Sequence, residues 1–325
     1  MRTYLGIDGG GSKTRFLLID DTGRRLATHI EGPAYYLETG LEELRQMLAR
    51  GIGATLALGK TAAADLGFAF LGLPAYGEDS RVLRALDSIA SPLLPAGRYR
   101  CGNDMVCAWA GALAGADGIN IVAGTGSIAY GEYSGRSARA GGWGELFSDE
   151  GSAYWLAREG LRLFSRMSDG RTARGALYEI VRRHFRVRDD LDVCGAIYGT
   201  SVAQRSQFAL LAQLVAQAAS AGDAEALSLF AAAAGELAAI VAAVHDQLQV
   251  RAGTVVPLSY SGGMFSGGDL LLAPFRSTLG RNGRAYRLVA PRLPPEVGAA
   301  LYAARLSGAA LDSQSIAALE SGPAS

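Results

Sequence analysis

A glycine-rich segment near the N-terminus has the residue types needed to bind phosphate. Three consecutive glycines let the backbone approach a ligand closely, and successive backbone N–H groups in such a turn form an anion-binding concavity. Asp8, at the end of the preceding apolar strand, suits Mg²⁺ held partly through water. The alternative is an ordinary β-turn. The candidate phosphate-binding residues are Gly10, Gly11, Ser12, Lys13 and Thr14.

Two later glycine turns also follow apolar strands. Gly262 and Gly263 could let a flat ring such as adenine lie against the backbone, or could form a plain strand-to-helix turn. The other turn has the composition of the first, so together they predict two lobes that grip a polyphosphate from opposite sides. Its residues are Gly124, Thr125, Gly126 and Ser127.

The first turn differs from two familiar nucleotide-binding loops. A G-x-x-x-x-G-K-[ST] loop has lysine directly after its last glycine, whereas here Ser12 separates Gly11 from Lys13. That loop and the G-x-G-x-x-G fingerprint both open a helix, but residues 13–20 have the pattern of a strand. The chain therefore predicts an antiparallel meander at its start instead of a dinucleotide-binding βαβ unit.

Asp104 is the candidate general base. It follows a predicted strand end and precedes a predicted helix within residues 99–115. Phosphoryl transfer to an alcohol requires a carboxylate within hydrogen-bond reach of the attacking hydroxyl. The alternative is that Asp104 only caps the helix, and both roles are compatible because a capping position fixes the side chain.

The densest group of polar and glycine residues lies at 141–152. A glycine-flanked backbone and a carboxylate could accept hydrogen bonds from sugar hydroxyls, and Trp143 could pack on a sugar face or brace the loop. Alternatively, Ser148 or Asp149 caps the following helix, while Asp149 and Glu150 interact with its dipole. The sequence leaves both interpretations open.

Other common catalytic centres are disfavoured. The three histidines share no motif, and the G-x-S-x-G elbow of hydrolases is absent. Cys101, Cys107 and Cys194 form no C-x-x-C pair and are odd in number, which argues against a disulfide framework or a zinc site. We therefore expect three buried, reduced thiols.

The composition is typical of a folded protein with two lobes. The chain has 325 residues, 49% of them apolar and 19% charged. Lys plus Arg equals Asp plus Glu, at 31 each, so no net charge attracts the protein to nucleic acid or to an anionic membrane. We expect no secretory signal and no apolar run of about 18 residues that could span a membrane, which predicts a cytoplasmic protein.

The pattern of elements repeats once along the chain. The opening meander and its following α/β stretch predict an N-terminal lobe over residues 1–112. A strand–turn–strand pattern restarts near Gly118 and becomes strongly helical from Asp149, which predicts a C-terminal lobe with a helical insertion over 113–296. The last helix, about 297–325, could return to the first lobe.

Five segments, in this order, resemble the N-acetylglucosamine kinase and BadF/BadG-type ATPase family of the actin, sugar kinase and Hsp70 superfamily. The glycine–tryptophan segment is the most specific of them, and the stretch from Ala218 to Ala224 is also similar. The resemblance covers nearly the whole chain. The segments are GIDGGGSKT at 6–14, GND at 102–104, AGTGSIAYG at 123–131, GGWGELFSDEGSAYW at 141–155 and SGGMF at 261–265.

The resemblance implies an α/β fold of two actin-like (ribonuclease H-like) lobes, with mixed five-stranded sheets and an ATP cleft between them. It implies an ATP- and Mg²⁺-dependent kinase that converts N-acetylglucosamine to N-acetylglucosamine 6-phosphate. Asp8 would lie near Mg²⁺, Asp104 would act on the 6-hydroxyl, and Gly262 and Gly263 would lie by the adenosine. Gly10 to Thr14 and Gly124 to Ser127 would bind phosphate, and the sugar would be held by Gly142, Trp143, Gly144 and Asp149.

The chain departs from the family pattern in ways that keep alternatives open. Residues 32–38 contain no Asn, which such kinases typically supply to the sugar, so a glucosamine kinase is the near alternative. Glu145 and Phe147 are further departures of unassigned effect. The second alternative is an ATPase activator of an acyl-CoA dehydratase, disfavoured because the cysteines lack the arrangement of an iron–sulfur site. A homodimer is a family-level expectation.

Overall fold

The computed structural model describes residues 2–280 and 283–321. Its strands, in chain order, are β1 Thr3–Gly9, β2 Thr14–Asp20, β3 Arg25–Glu31, β4 Leu66–Leu73, β5 Tyr99–Asn103, β6 Gly118–Ala123, β7 Ser127–Tyr133, β8 Arg136–Gly141, β9 Val255–Ser261 and β10 Ala285–Val289. Its helices are α1 Tyr36–Thr39, α2 Leu41–Leu58, α3 Leu83–Asp87, α4 Met105–Ala112, α5 Ala153–Ser168, α6 Ala176–Phe185, α7 Asp192–Tyr198, α8 Arg205–Leu210, α9 Ala212–Ser220, α10 Ala224–Gln247, α11 Asp269–Leu279, α12 Pro295–Leu306 and α13 Ser313–Ser321.

These elements form two compact units. Unit 1 contains the described residues up to Asp117 and from Ala290 onward, and unit 2 runs from Gly118 to Val289. The boundaries drawn from the sequence, after residues 112 and 296, differ from these limits. The segment before α12 belongs to unit 1 because its backbone bonds the end of α4: Arg292 N–H donates to Ala112 O and Leu293 N–H to Gly111 O, each at 3.1 Å.

The two units contain sheets of the same strand order. Unit 1 has β3-β2-β1-β4-β5, and unit 2 has β8-β7-β6-β9-β10. In each sheet the first three strands form an antiparallel meander and the other two are parallel to the first strand. This confirms the predicted α/β fold class with two mixed five-stranded sheets. Neither β10 nor α11 was predicted from the sequence. Strand β10 is short and its side chains are half-buried or exposed, so it lacks a clear apolar pattern.

Strand β1 separates two packed faces of unit 1. Leu5 and Ile7 point into a core shared with α2, while Gly6 and Asp8 alternate onto the opposite face, where α12 packs. A Cβ on Gly6 would lie 2.3 Å from the backbone nitrogen of Ala300. Glycine is therefore required at this position, and the contact brings the start of α12 to the strand that ends in the first glycine turn.

Helix α10 fills the core of unit 2. Its buried positions recur at helical spacing, as at Phe230, Ala233, Leu237 and Val241, and it packs on β6, β7 and β8. By length and composition alone this helix could cross a membrane, although 44% of its most apolar window is buried inside unit 2. The expectation that the chain has no such apolar run is therefore wrong, because alanines lengthen an ordinary core helix.

The cysteines only partly match expectation. Cys101 and Cys107 are buried, as predicted, but Cys194 is exposed. Cys194 lies on α7, a short helix that buries only Val193 and Ile197 and leaves its other positions at the surface.

We predict that Gly298→Ala lowers the free energy of unfolding by about 1–3 kcal/mol, the usual cost of overpacking. A Cβ on Gly298 would lie 2.2 Å from both Cys107 O and Gly111 N, and this backbone cannot move aside as a flexible side chain would. Urea-induced unfolding measures the change.

Gly53→Ala is the matched control, because Gly53 is also helical but has nothing within 4 Å of the added Cβ. This variant should gain about 0.5–1 kcal/mol through reduced backbone entropy in the unfolded chain. Equal stability of the two variants would contradict the close helix contact.

Candidate functional site

The first glycine turn, residues 10–14, divides its polar groups between structure and solvent. The backbone closes on itself, with Gly10 N–H donating to Lys13 O at 3.0 Å. The Thr14 hydroxyl is buried and donates to Gly32 O at 2.8 Å, so it holds the neighbouring loop. Ser12 and Lys13 are exposed. We call this segment phosphate turn 1. Its exposed residues are Gly11, Ser12 and Lys13, which offer a hydroxyl, an ammonium and backbone amides.

The second glycine turn, residues 124–127, shows the same division. Gly124 N–H donates to Gly126 O at 2.9 Å, and the buried Ser127 hydroxyl donates to Glu150 O at 2.7 Å. Thr125 is exposed. We call this segment phosphate turn 2. It is bonded to the start of α5, because Ala153 N–H donates to Gly124 O at 2.8 Å.

Asp8 is half-buried, and its carboxyl is unusually hard to ionise. Burial is the largest cause, and the negative charges of Asp104 and Glu296 add to it, while Arg15 opposes them; together they raise the pKa of Asp8 to about 8. Glu296, in the first turn of α12, is buried and was missed by the sequence analysis. Only the packing of α12 on β1 brings Glu296 near Asp8, so no local motif could have indicated it.

The carboxylates around Asp8 fit a partly hydrated Mg²⁺ but not a metal ion enclosed by protein ligands. Within residues 2–280 and 283–321, no cluster of three His, Cys, Asp or Glu side chains could enclose a metal ion. Mg²⁺ does not require such a cage, since it usually keeps several waters and binds one or two carboxylates together with substrate phosphates. Mutually repelling carboxylates around Asp8 would be relieved by a nearby cation.

Asp104 lies between the end of β5 and the start of α4. It precedes α4, but its side chain makes no capping hydrogen bond. The cap is supplied instead by Asn103, whose Oδ1 accepts from Met105 N–H at 3.1 Å and whose Nδ2 donates to Tyr76 O at 3.2 Å. The prediction that Asp104 caps the helix is therefore wrong, and its carboxylate, which is half-buried, does not serve as the cap.

The sugar loop, residues 141–150, is an exposed segment built on glycines. Gly142 and Gly144 have φ of +70° and +94°, a region that favours glycine. The side chain of Trp143 is 69% exposed, and Leu146 and Phe147 are exposed as well. Trp143 therefore does not brace the loop, and its face is accessible to a ligand.

Asp149 ends the sugar loop and is buried. Its Oδ1 accepts from Ser127 N–H of phosphate turn 2 at 3.3 Å, and its Oδ2 accepts from Arg205 Nη2 at 2.6 Å. Helix α5 is capped by Ser152, whose hydroxyl accepts from Trp155 N–H. The expectation that Ser148 or Asp149 caps this helix is wrong, because the chain makes one further turn before α5 begins.

The third glycine cluster lies beside phosphate turn 2. Parallel pairing of β6 and β9 places Gly262, with φ of +99°, against the end of β6, where an added Cβ would lie 2.4 Å from Ala123 O. Gly263 has open space around it. A 3₁₀ turn follows at 263–267, so the strand-to-helix interpretation also holds locally.

Two cavities lie elsewhere in the units. One, of about 530 Å³, is lined in unit 1 by residues that include Tyr76, Tyr99 and Cys101. The other, of about 550 Å³, is lined in unit 2 by helical residues that include Phe164 and Ile197. Neither is formed by the glycine turns, which would bind phosphate through exposed backbone amides and need no cavity of their own.

We predict that Asp8→Asn changes how stability depends on pH. The pKa of Asp8 is about 8 in the folded chain and 3.8 when the side chain is solvated, as in the unfolded chain, so between these values the folded chain retains a proton that the unfolded chain has lost. This contribution is fully present below pH 3.8 and is lost as the pH rises through about 8. Relative to wild type, the variant should therefore be more stable at about pH 9 than at about pH 5.

The measurement is thermal unfolding of both proteins without divalent cations. Asp65→Asn, at an exposed position of unit 1, controls for the loss of a surface charge and should show no such trend. A stability difference between Asp8→Asn and wild type that is the same at both pH values would contradict the assignment.

Comparisons with known proteins show which family the chain resembles. The sequence profile of the BadF/BadG/BcrA/BcrD ATPase family matches residues 5–303. An N-acetylmuramic acid/N-acetylglucosamine kinase of Clostridium acetobutylicum is 29% identical over 93% of this chain and 98% of its own. An N-acetyl-D-glucosamine kinase of Dictyostelium discoideum is 26% identical over 92% of this chain and 97% of its own.

A solved structure is similar over the same span. A candidate N-acetylglucosamine kinase from Chromobacterium violaceum has a TM-score of 0.72 and 29% identity, covering 93% of this chain and 99% of that one. The family match extends from β1 into α12, so it includes both glycine turns, Asp104 and the sugar loop. The chain belongs to the BadF/BadG/BcrA/BcrD ATPase family.

Proposed function

We propose that this protein is an ATP-dependent amino-sugar kinase that converts N-acetylglucosamine to N-acetylglucosamine 6-phosphate. The observation that carries the proposal is that each unit has an equivalent glycine turn with an exposed hydroxyl, and that unit 1 also has the Asp104 carboxylate, which is not used as a helix cap. The relatives at 26% and 29% identity, both named as kinases of N-acetylated amino sugars, support the substrate class.

Each unit offers groups that would bind nucleotide. Phosphate turns 1 and 2 offer backbone amides with the Ser12 and Thr125 hydroxyls, and Lys13 adds a positive charge. The open space at Gly263, beside turn 2, would accept the adenosine. Asp8 would hold Mg²⁺ partly through water, and this ion supplies neutralisation of phosphate charge when bound.

The sugar would lie against the sugar loop. The glycine backbone at Gly142 and Gly144 would bind hydroxyls, Trp143 would pack on a sugar face, and Asp149, which is buried, would orient the loop. Asp104 would accept the proton of the 6-hydroxyl as that oxygen bonds to the γ-phosphorus. The bond from the γ-phosphorus to the bridging oxygen breaks, and ADP leaves with the bonding electrons.

Two alternatives differ in what supports them. Glucosamine is the near alternative as acceptor, because residues 32–38 form α1 and its approach without supplying an Asn. The dehydratase activator is poorly supported, since Cys101 and Cys107 are buried and burial raises the pKa of both thiols. A cytoplasmic location, a homodimer and the absence of nucleic-acid and membrane partners stay expectations.

We predict that Asp104→Asn lowers kcat by about 10²–10⁴-fold, the usual contribution of a general base, while largely sparing ATP binding. ADP release with Mg²⁺-ATP measures kcat against N-acetylglucosamine, glucosamine, N-acetylmuramic acid, glucose and no sugar. Stimulation of wild type by one amino sugar would identify the acceptor.

Asp65→Asn is the control, because it removes an exposed carboxylate of the same unit. Near-normal turnover of Asp104→Asn would remove Asp104 from the role of base. Wild-type ADP release that no sugar stimulates would count against the kinase and favour an ATPase that acts on a protein partner.

We also predict that in each phosphate turn the exposed hydroxyl contributes to ATP binding and the buried hydroxyl contributes to stability. Ser12→Ala and Thr125→Ala should raise the KM for ATP roughly tenfold, because each removes an exposed donor worth about 1.4 kcal/mol. Thr14→Val and Ser127→Ala should instead mainly lower the free energy of unfolding by about 1 kcal/mol, because each leaves a carbonyl without its donor. An unchanged KM in both exposed-site variants would contradict the assignment of the turns.

A further inference from the structure

Arg205, the first residue of α8, contacts both functional segments of unit 2. Its Nη2 donates to Asp149 Oδ2 at 2.6 Å, and its Nε lies 3.0 Å from Glu145 Oε2. Both acids belong to the sugar loop. Nη2 also lies over phosphate turn 2, where a Cβ on Gly126 would be only 2.6 Å from it. One guanidinium therefore touches the middle and the end of the sugar loop and the glycine of the turn.

Helix α8 is itself fixed beside the same site. Phe208, one turn after Arg205, contacts Tyr154 with ring centroids 4.7 Å apart. Tyr154 lies in the first turn of α5, and its backbone N–H donates to Thr125 O of phosphate turn 2 at 3.3 Å. The base of the arginine is thus anchored to the helix whose start holds the turn.

The charges favour a positioning role over binding of an anion. Two carboxylates, Glu145 and Asp149, surround the one guanidinium, so the group carries a net negative charge and would repel a phosphate. The planar fork of Arg can engage two carboxylates at once, whereas the compact ammonium of Lys cannot reproduce that geometry. The Asp149 side chain is 2% exposed and the Arg205 side chain 41% exposed, so the arginine covers the acid from the solvent side.

We propose that Arg205 is a positioning residue that holds the sugar loop and phosphate turn 2 in one arrangement, so that acceptor sugar and nucleotide strengthen each other's binding. The coupling between sugar and nucleotide rests on the proposed kinase function. The restraint of the two segments rests only on the contacts of Arg205. It assigns Glu145, a departure from the family pattern, the role of fixing the sugar loop to that arginine.

The first experiment does not depend on enzymatic activity. Amide hydrogen exchange of the unliganded protein is compared between wild type, Arg205→Met and Arg205→Lys. Exchange should become faster in Arg205→Met in two separate peptides, covering residues 124–127 and 141–150, and to a smaller extent in Arg205→Lys. Arg162→Met is the matched control, because Arg162 forms an exposed pair with Glu159 on α5 at 2.7 Å and contacts neither segment.

The second experiment measures coupling in the intact enzyme by calorimetry. The Kd of N-acetylglucosamine is determined with and without a non-hydrolysable ATP analogue. Wild type should bind the sugar about 5–150-fold more tightly with the analogue, and in Arg205→Met this ratio should fall towards one. Glu145→Gln removes the ion pair between Arg205 and the middle of the sugar loop, while Arg205 keeps its contact with Asp149, so this variant should weaken sugar binding.

The outcomes separate the two proposals. Unchanged exchange in Arg205→Met, or a coupling ratio equal to that of wild type, would overturn the role of Arg205. Wild type that binds none of the sugars would overturn the kinase proposal, and the exchange data would then still decide whether Arg205 holds both segments. Faster exchange in both peptides, absent in Arg162→Met, supports the inference.

Discussion

The contact between β1 and α12 determines which acidic side chains lie together on one face of unit 1. Because Gly6 has no side chain, the backbone of α12 can lie against the strand, and the same alternation places Asp8 on that face. The contact therefore brings Glu296 near Asp8, which also feels the charge of Asp104, and these acids make the half-buried Asp8 carboxyl harder to ionise. A pKa raised by burial and like charges is a pattern typical of functional sites, where a cation or substrate supplies the missing charge.

Phosphate turns 1 and 2 have the same arrangement of hydrogen bonds. A turn that binds phosphate needs free amides, yet its own backbone must be held in place by other groups. In each turn one hydroxyl points inward to a carbonyl, from Thr14 to Gly32 and from Ser127 to Glu150. The other hydroxyl remains exposed. The two units therefore share the same strand order and also the same arrangement of one buried and one exposed hydroxyl in the turn.

Local signals allowed much of this arrangement to be predicted from the sequence. Glycine spacing, strand alternation and the polar segment after β8 indicated the turns, most of the strands and the glycine-rich loop, because each depends on neighbouring residues, whereas the five-stranded sheets followed only from the family resemblance. Glu296 and Arg205 could not be found in this way, since each reaches its partners only through tertiary packing. The role of Asn103 was missed for a smaller reason: it and Asp104 compete for one cap, and the sequence cannot show which side chain takes it.

Asp149 shows why these remote residues matter. A carboxylate that is 2% exposed is stable only if it is paired, and it is shared here between the backbone of phosphate turn 2 and Arg205. Breaking a fully buried ion pair costs about 3–5 kcal/mol, and this pair is worth less because the arginine is partly exposed. Most of that cost comes from leaving the other charge buried without its partner, so removing Arg205 would mainly destabilise Asp149. Because Ser127 N–H and Arg205 both hold Asp149, they restrain the loop itself, and under the proposed function the sugar would contribute orientation and contact rather than the ordering of the loop.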